Sequence, residues 1–262
     1  MKKPFFIILL SILSSALFAQ QVTDSIKQPE KDSIQLNISN ASQDLKFNYK
    51  ALIIPTVFIG YGVISLESDG LKSLNIEIRE EVNEHIDDKF TIDDISQYAP
   101  FASVYALNAL GVKGKHNFKD RTIILGTAYI LMGTSTVALK KWTGVERPDG
   151  SSNNSFPSGH TATAFMGAEF LYQEYKDISP WYGIAGYVVA TGTGVFRMYN
   201  NRHWFSDVVA GAGIGILSTK IAYWIHPWMK EKIFKDKKNK IDGLAMPFYN
   251  GKQGGLGMVI NF

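Results

Sequence analysis

Four apolar segments rich in Gly, Ala, Ser and Thr occupy most of the second half of this chain: Thr122 to Leu139, Thr161 to Tyr172, Trp181 to Val195 and Val208 to Ile225. Small residues such as Gly211 and Gly215, one helical turn apart, let helix backbones approach closely. Upstream, Ala51 to Leu66 reads as a buried or membrane-dipping helix. Leu71, Leu74, Ile78, Val82 and Ile86 recur at helical spacing opposite Glu77, Glu80, Glu81, Glu84, Asp87 and Asp88, which marks an amphipathic helix with a solvated acidic face. Thr91-Ile92-Asp93-Asp94 looks like a helix start, with a helical pattern running to Leu110. The fold class expected is all-α, a compact bundle of about six helices over residues 51–228. Residues 229–262 add six lysines between Lys230 and Lys240, then a stretch from Leu244 that alternates around Asn250-Gly251 and Gly254-Gly255 like a short β-hairpin.

Composition removes several classes. The chain has no Cys, which excludes disulfides, thiolate nucleophiles and Cys-ligated metals. Its net charge of +3 over 262 residues is too weak and dispersed to argue for a nucleic-acid partner. The start, Met1-Lys2-Lys3 followed by an apolar run to Ala19, is the pattern of a secretory signal over residues 1–19, with cleavage expected after Ala19. The bulky Leu17 leaves an uncleaved anchor open. Residues 20–50 read as a polar lead-in.

Chemistry is concentrated in three polar islands between the apolar helices. In the first, Lys140 and Arg147 stand seven residues apart, nearly two helical turns, so that one continuous helix ending at Pro148 would project both the same way. Alone, they are as well explained as two surface cations at a helix end. In the second, Ser158-Gly159-His160 opens a helix, where free backbone N–H groups and a hydroxyl make a seat for a phosphate or oxyanion and His160 stands by as a proton donor. Alone, Ser158 reads equally as an ordinary N-cap. In the third, Arg197 precedes His203 and Asp207, whose four-residue spacing puts both on one helical face; the carboxylate can then take the proton of one ring nitrogen and leave the other free to attack. Alone, they read equally as a surface His–Asp pair at a helix N-terminus, where Asp is favourable anyway. The remaining histidines, His85, His116 and His226, have no acid, base or ligand at workable spacing and read as ordinary polar or helix-end residues.

Together the islands read Lys-x6-Arg-Pro, Pro-Ser-Gly-His and Arg-x5-His-x3-Asp. This resembles the type 2 phosphatidic acid phosphatase family (PAP2), whose signature is shared by bacterial class A acid phosphatases and vanadium-dependent haloperoxidases. The resemblance implies that His203 attacks phosphorus, Asp207 holds its tautomer, and His160 protonates the leaving alcohol. It also implies that Lys140, Arg147, Ser158, Gly159 and Arg197 bind the phosphoryl oxygens. No metal or other cofactor is implied, and vanadate is expected to bind as a phosphate mimic. One departure is Phe196, where the family usually has Ser, removing a hydroxyl contact worth about 1 kcal/mol. Trp142, Tyr199, Trp204 and Phe205 are candidates either for apolar walls around a lipid chain or for core packing.

The function the resemblance implies is hydrolysis of a phosphate ester or diphosphate of an envelope lipid, of the phosphatidate, polyprenyl diphosphate or lipid A type. A soluble periplasmic acid phosphatase and a haloperoxidase are the alternatives. The expected partners are an anionic lipid phosphate and a membrane. The expected location is the cell envelope, membrane-associated with a periplasm-facing site, and a freely soluble form is the second reading.

Overall fold

The computed structural model describes residues 49–83, 91–232, 242–249 and 254–261. The signal-like run, its cleavage point, nearly all of the lead-in, His85 and Ile86, and the lysines from Lys235 to Lys240 lie outside the described residues. A 3-10 turn, Tyr49–Leu52, leads into α1 (Ile53–Ser65) and α2 (Asp69–Asn83), and these are followed by α3 (Asp93–Ser96) and α4 (Ala99–Ala109). The long helices α5 (Phe118–Thr143), α6 (Gly159–Tyr175), α7 (Pro180–Tyr199) and α8 (Phe205–Lys232) follow. Strands β1 (Asp242–Tyr249) and β2 (Gly254–Asn261) pair antiparallel, with Asp242 opposite Asn261 and Tyr249 opposite Gly254.

The described domain is helical, with eight α-helical stretches instead of about six. The pattern from Asp93 to Leu110 is broken into two, because Pro100 has no N–H for the preceding turn and its ring starts α4 afresh. Three helix starts follow their capping residues. Asn117 accepts from the Asp120 N–H at α5, Ser158 from the Thr161 N–H at α6, and Ser179 from the Trp181 N–H at α7, where Pro180 follows as first residue.

Helix α6 lies at the centre of the domain. Its Met166, Phe170, Leu171 and Tyr175 pack with Val104 of α4, Ile124 and Met132 of α5, and Ile214 and Tyr223 of α8 in one buried cluster. Its contact with α8 is made backbone to backbone. A Cβ on Gly211 would stand 2.5 Å from the Ser158 carbonyl oxygen, and one on Gly215 would stand 2.3 Å from that of Ala162. Only hydrogen at those positions allows this approach, and it holds the start of α6, which carries the second island, against α8, which follows the third.

Charges inside the helices are paired. Lys220 reaches Glu169 at 2.7 Å, and Tyr187 also donates to that carboxylate. Farther along α6, Glu174 binds the His116 ring at 2.7 Å and receives the Tyr223 hydroxyl at 2.7 Å. Arg121 is buried and donates to the His116 carbonyl at 2.6 Å. His116 thus has an acidic partner, 58 residues away, that its sequence neighbours do not reveal.

Helices α5 and α8 are long and apolar enough to cross a membrane, and the pair formed by α1 with its 3-10 turn and α2, bent by 98°, would make a third span. Large apolar side chains face outward from several helices, among them Ile54 and Val57 of α1, Ile130 and Val137 of α5, and Trp181 and Val188 of α7.

Candidate active site

The first island does not continue α5. The helix stops at Thr143 because Gly144 takes the left-handed conformation, φ 57°, and returns its N–H to the Lys140 carbonyl. Lys140 is therefore on the helix and Arg147 on the loop beyond it, contrary to the shared helical face that the spacing predicts. The two cations meet through the loop, which folds back. Ser155 N–H bonds the Val145 carbonyl at 2.8 Å and Arg147 N–H bonds that of Ser152 at 3.0 Å. Lys140 Nζ donates to the Asn154 carbonyl at 2.5 Å, while Arg147 Nε donates to the Asn154 side-chain oxygen at 2.9 Å.

The second island begins α6. Ser158 is fully buried; its hydroxyl lies 2.8 Å from that of Thr161 and accepts from the Thr161 N–H, so it serves as the helix cap. Its own N–H bonds the Asp207 carbonyl at 3.0 Å, tying the second island to the third. Gly159 follows as the first helical residue, among the donors that an α-helix leaves without intrahelical partners.

The third island spans the end of α7 and the start of α8. Arg197 lies in the last turn of α7, and Asn201, with φ 56°, helps turn the chain out of it. Because α8 begins only at Phe205, His203 precedes the helix and Asp207 sits in its first turn, so the pair faces across a helix start instead of along one helical face. Asp207 Oδ2 caps that start by accepting the Trp204 N–H at 2.9 Å. The same oxygen is 3.6 Å from His203 Nδ1. Ser155 lies between them, donating to Asp207 Oδ2 at 2.5 Å and standing 3.4 Å from His203 Nδ1. Asn75 of α2 fixes the same corner, exchanging hydrogen bonds of 2.9 and 3.1 Å with Ser206.

Arg147, His160 and Arg197, one from each island, line a single cavity of about 300 Å³ together with Arg202, Asp93 and Asp94. His203 adjoins Arg202 and is buried, and the Arg197 charge acts on both imidazoles, lowering the pKa of His160 as of His203. Burial is the largest cause at His203; it pushes the imidazole down to about 4, and Asp207 only partly opposes it. At neutral pH the ring is uncharged, and with Nδ1 turned to Asp207 the nitrogen left to attack is Nε2. The Arg147 guanidinium is also lowered, by desolvation first and then by Arg197 and Arg202. Of the other expected site residues, Lys140, Ser158, Gly159, His203 and Asp207 are not among the residues lining this cavity.

Of the aromatic candidates, Trp142 is exposed on α5, Phe205 packs edge-on against Tyr61 at 5.9 Å, and Tyr199 packs on Phe196 at 5.9 Å. Trp204 donates to the Glu146 carbonyl at 2.9 Å and lines a second, mainly apolar cavity of about 270 Å³ with Leu66, Ile76 and Asp207.

Sequence reasoning missed Ser155, which sits in an undistinguished polar loop, and it missed what Asp93 and Asp94 do. Asp93 pairs with Arg197 and accepts from Asn200 at 2.9 Å; Asp94 is 2.8 Å from His160 Nε2. Only the helix-start pattern drew notice to these two acids.

A family model described as the PAP2 superfamily matches residues 121–231. A lipid A 1-phosphatase of Porphyromonas gingivalis is 45% identical over 148 residues, 55% of this chain and 32% of that protein. The bacitracin transport permease protein BcrC of Bacillus licheniformis is 35% identical over 75 residues, 29% of this chain and 35% of that protein. The chain thus spans about a third of the length of either curated relative. The crystal structure of Aquifex aeolicus LpxE aligns with a TM-score of 0.45 and 24% identity, covering 57% of this chain and 94% of that one. The match with the PAP2 superfamily model spans the helical segment that carries all three islands.

Proposed function

We propose that this chain is a metal-independent phosphatase that removes a phosphate from an envelope lipid through a phosphohistidine at His203. The observation that carries the reading is the convergence of Arg147, His160 and Arg197 on one cavity, with the Arg197 charge also acting on a buried His203 whose Nδ1 lies 3.6 Å from Asp207. An uncharged imidazole held by Asp207 is a nucleophile; cations at Lys140, Arg147 and Arg197 offset the charge of the equatorial oxygens as the transferred group flattens. His203 Nε2 bonds to phosphorus as the ester P–O bond breaks, and His160 gives a proton to the departing oxygen. Water, relieved of a proton by the now neutral His160, then breaks the P–N bond and releases phosphate. Vanadate, a mimic of the pentacoordinate state, is expected to occupy the same cavity.

Similarity to a protein named lipid A 1-phosphatase favours a phosphorylated glycolipid head over phosphatidate or a polyprenyl diphosphate. The outward-facing apolar side chains favour a membrane-embedded enzyme over a soluble acid phosphatase. We place the site on the periplasmic side of an exported envelope protein.

The test is phosphate release by the detergent-solubilised full chain in excess chelator, with lipid A, phosphatidate and p-nitrophenyl phosphate compared. The expected result is full activity with chelator and a kcat/KM for one of the lipids at least ~10-fold above the soluble ester, since apolar contacts worth ~1.4 kcal/mol suffice for that factor. Strict dependence on an added divalent ion, or a preference for the soluble ester, would overturn the proposal.

A further inference from the structure

We infer that Asp94 is the positioning residue of the general acid, forming with His160 a second His–Asp pair that works alongside His203–Asp207. The inference rests on the phosphatase reading of the same site. Asp94 Oδ1 lies 2.8 Å from His160 Nε2, within hydrogen-bond reach, although the two residues are 66 positions apart. With Nε2 engaged, Nδ1 is the ring nitrogen left for the leaving oxygen. The arrangement repeats the logic of the nucleophile, in which one nitrogen is fixed by a carboxylate and the other meets the substrate.

The two pairs differ in their surroundings, and the difference suits their tasks. Asp207 and His203 are both buried, which keeps the nucleophile uncharged. Asp94 is 57% exposed at the side chain and His160 29%, at the edge of the cavity, where a proton lost by the acid is readily replaced. His160 must be protonated when the P–O bond breaks. Burial pulls its pKa down and Arg197 pulls further in the same direction, while Asp94, by hydrogen bond and charge, and Asp93, by charge, oppose both. Arg147 and Arg202, which line the same cavity, are cations as well. Among so many positive charges, a carboxylate on the imidazole is what opposes loss of the acid proton. Asp93 is committed to Arg197 and Asn200, so Asp94 is the one that touches the acid.

In the step itself, the electron pair of the breaking P–O bond goes to the alkoxide oxygen. The Nδ1 proton of the His160 imidazolium goes to that oxygen. Asp94 stays ionised and keeps its hydrogen bond to Nε2–H.

The experiment is the pH profile of kcat/KM for the full chain, its Asp94→Asn and Asp94→Glu variants, and His160→Ala, on an alkyl phosphate lipid and on p-nitrophenyl phosphate. Loss of the carboxylate is expected to move the alkaline limb on the alkyl ester to lower pH by about one unit. At pH above both limbs this is a ~10-fold loss, with a smaller loss on p-nitrophenyl phosphate, whose leaving group needs little protonation. Asp94→Glu is expected to restore most of the limb. An alkaline limb that His160→Ala removes but Asp94→Asn leaves in place would overturn the role of Asp94 while sparing the phosphatase reading. Equal losses by Asp94→Asn on both esters with an unmoved limb would do the same. A limb that survives His160→Ala would overturn the acid assignment and this inference with it.

Discussion

His203→Ala is expected to abolish turnover, lowering kcat by at least ~10³-fold on lipid and soluble esters alike, because loss of a covalent nucleophile is not compensated by a better leaving group. The size follows from how the site is built around this ring. Its Nδ1 lies 3.4 Å from the Ser155 hydroxyl and 3.6 Å from Asp207, burial keeps it neutral, and the charges of Lys140 and Arg197 act on it. Alanine leaves the cations in place, so substrate binding is retained while the chemistry is lost. Steady-state assays of the purified variant, with phosphate or vanadate binding measured in parallel, check both halves of that expectation. A variant with near-normal kcat would remove the nucleophile assignment.

Gly215→Ala is expected to be the most damaging single methyl in the domain. The new Cβ would stand 2.3 Å from the Ala162 carbonyl oxygen and 2.7 Å from the Met166 nitrogen, both of them main-chain atoms of α6. No rotamer change relieves such a contact, so the helices must separate, at a cost of about 1–3 kcal/mol or more for overpacking. Separation also shifts the start of α6, where Ser158 and His160 lie, relative to Asp207, whose carbonyl Ser158 binds. A displacement on the order of 1 Å there is expected to cost ~10²-fold in kcat/KM. Gly126→Ala is the matched control, since a Cβ at that position on α5 meets nothing within 4 Å. In thermal unfolding in detergent the control is expected to melt at or slightly above the parent, by the gain in helix propensity, and Gly215→Ala well below it. Equal melting of the two would contradict the tight α6–α8 contact.

The helical architecture was legible because its signals are local: apolar segments with small residues, and Asn117, Ser158 and Ser179 at helix starts. The three islands were legible as well, since each packs its chemistry into eleven residues or fewer. What misled was extending helical spacing across a helix end. Gly144 stops α5 before Arg147, and α8 starts after His203, so neither pair meets by periodicity. Both meet because loops fold back, through Asn154 in one case and Ser155 in the other. The roles of Asp94 and Asn75 were invisible for a related reason: their partners lie 66 and 131 residues away, and a carboxylate or amide in a polar segment carries no mark of what it will touch.

The most direct test of a phosphohistidine mechanism is to quench the full chain within milliseconds of mixing with ³²P-labelled substrate and map the labelled peptide. The account predicts transient label on His203, stable to base and lost in acid, that disappears at the rate of turnover. Turnover with no labelled protein, or with label on any other residue, would contradict it.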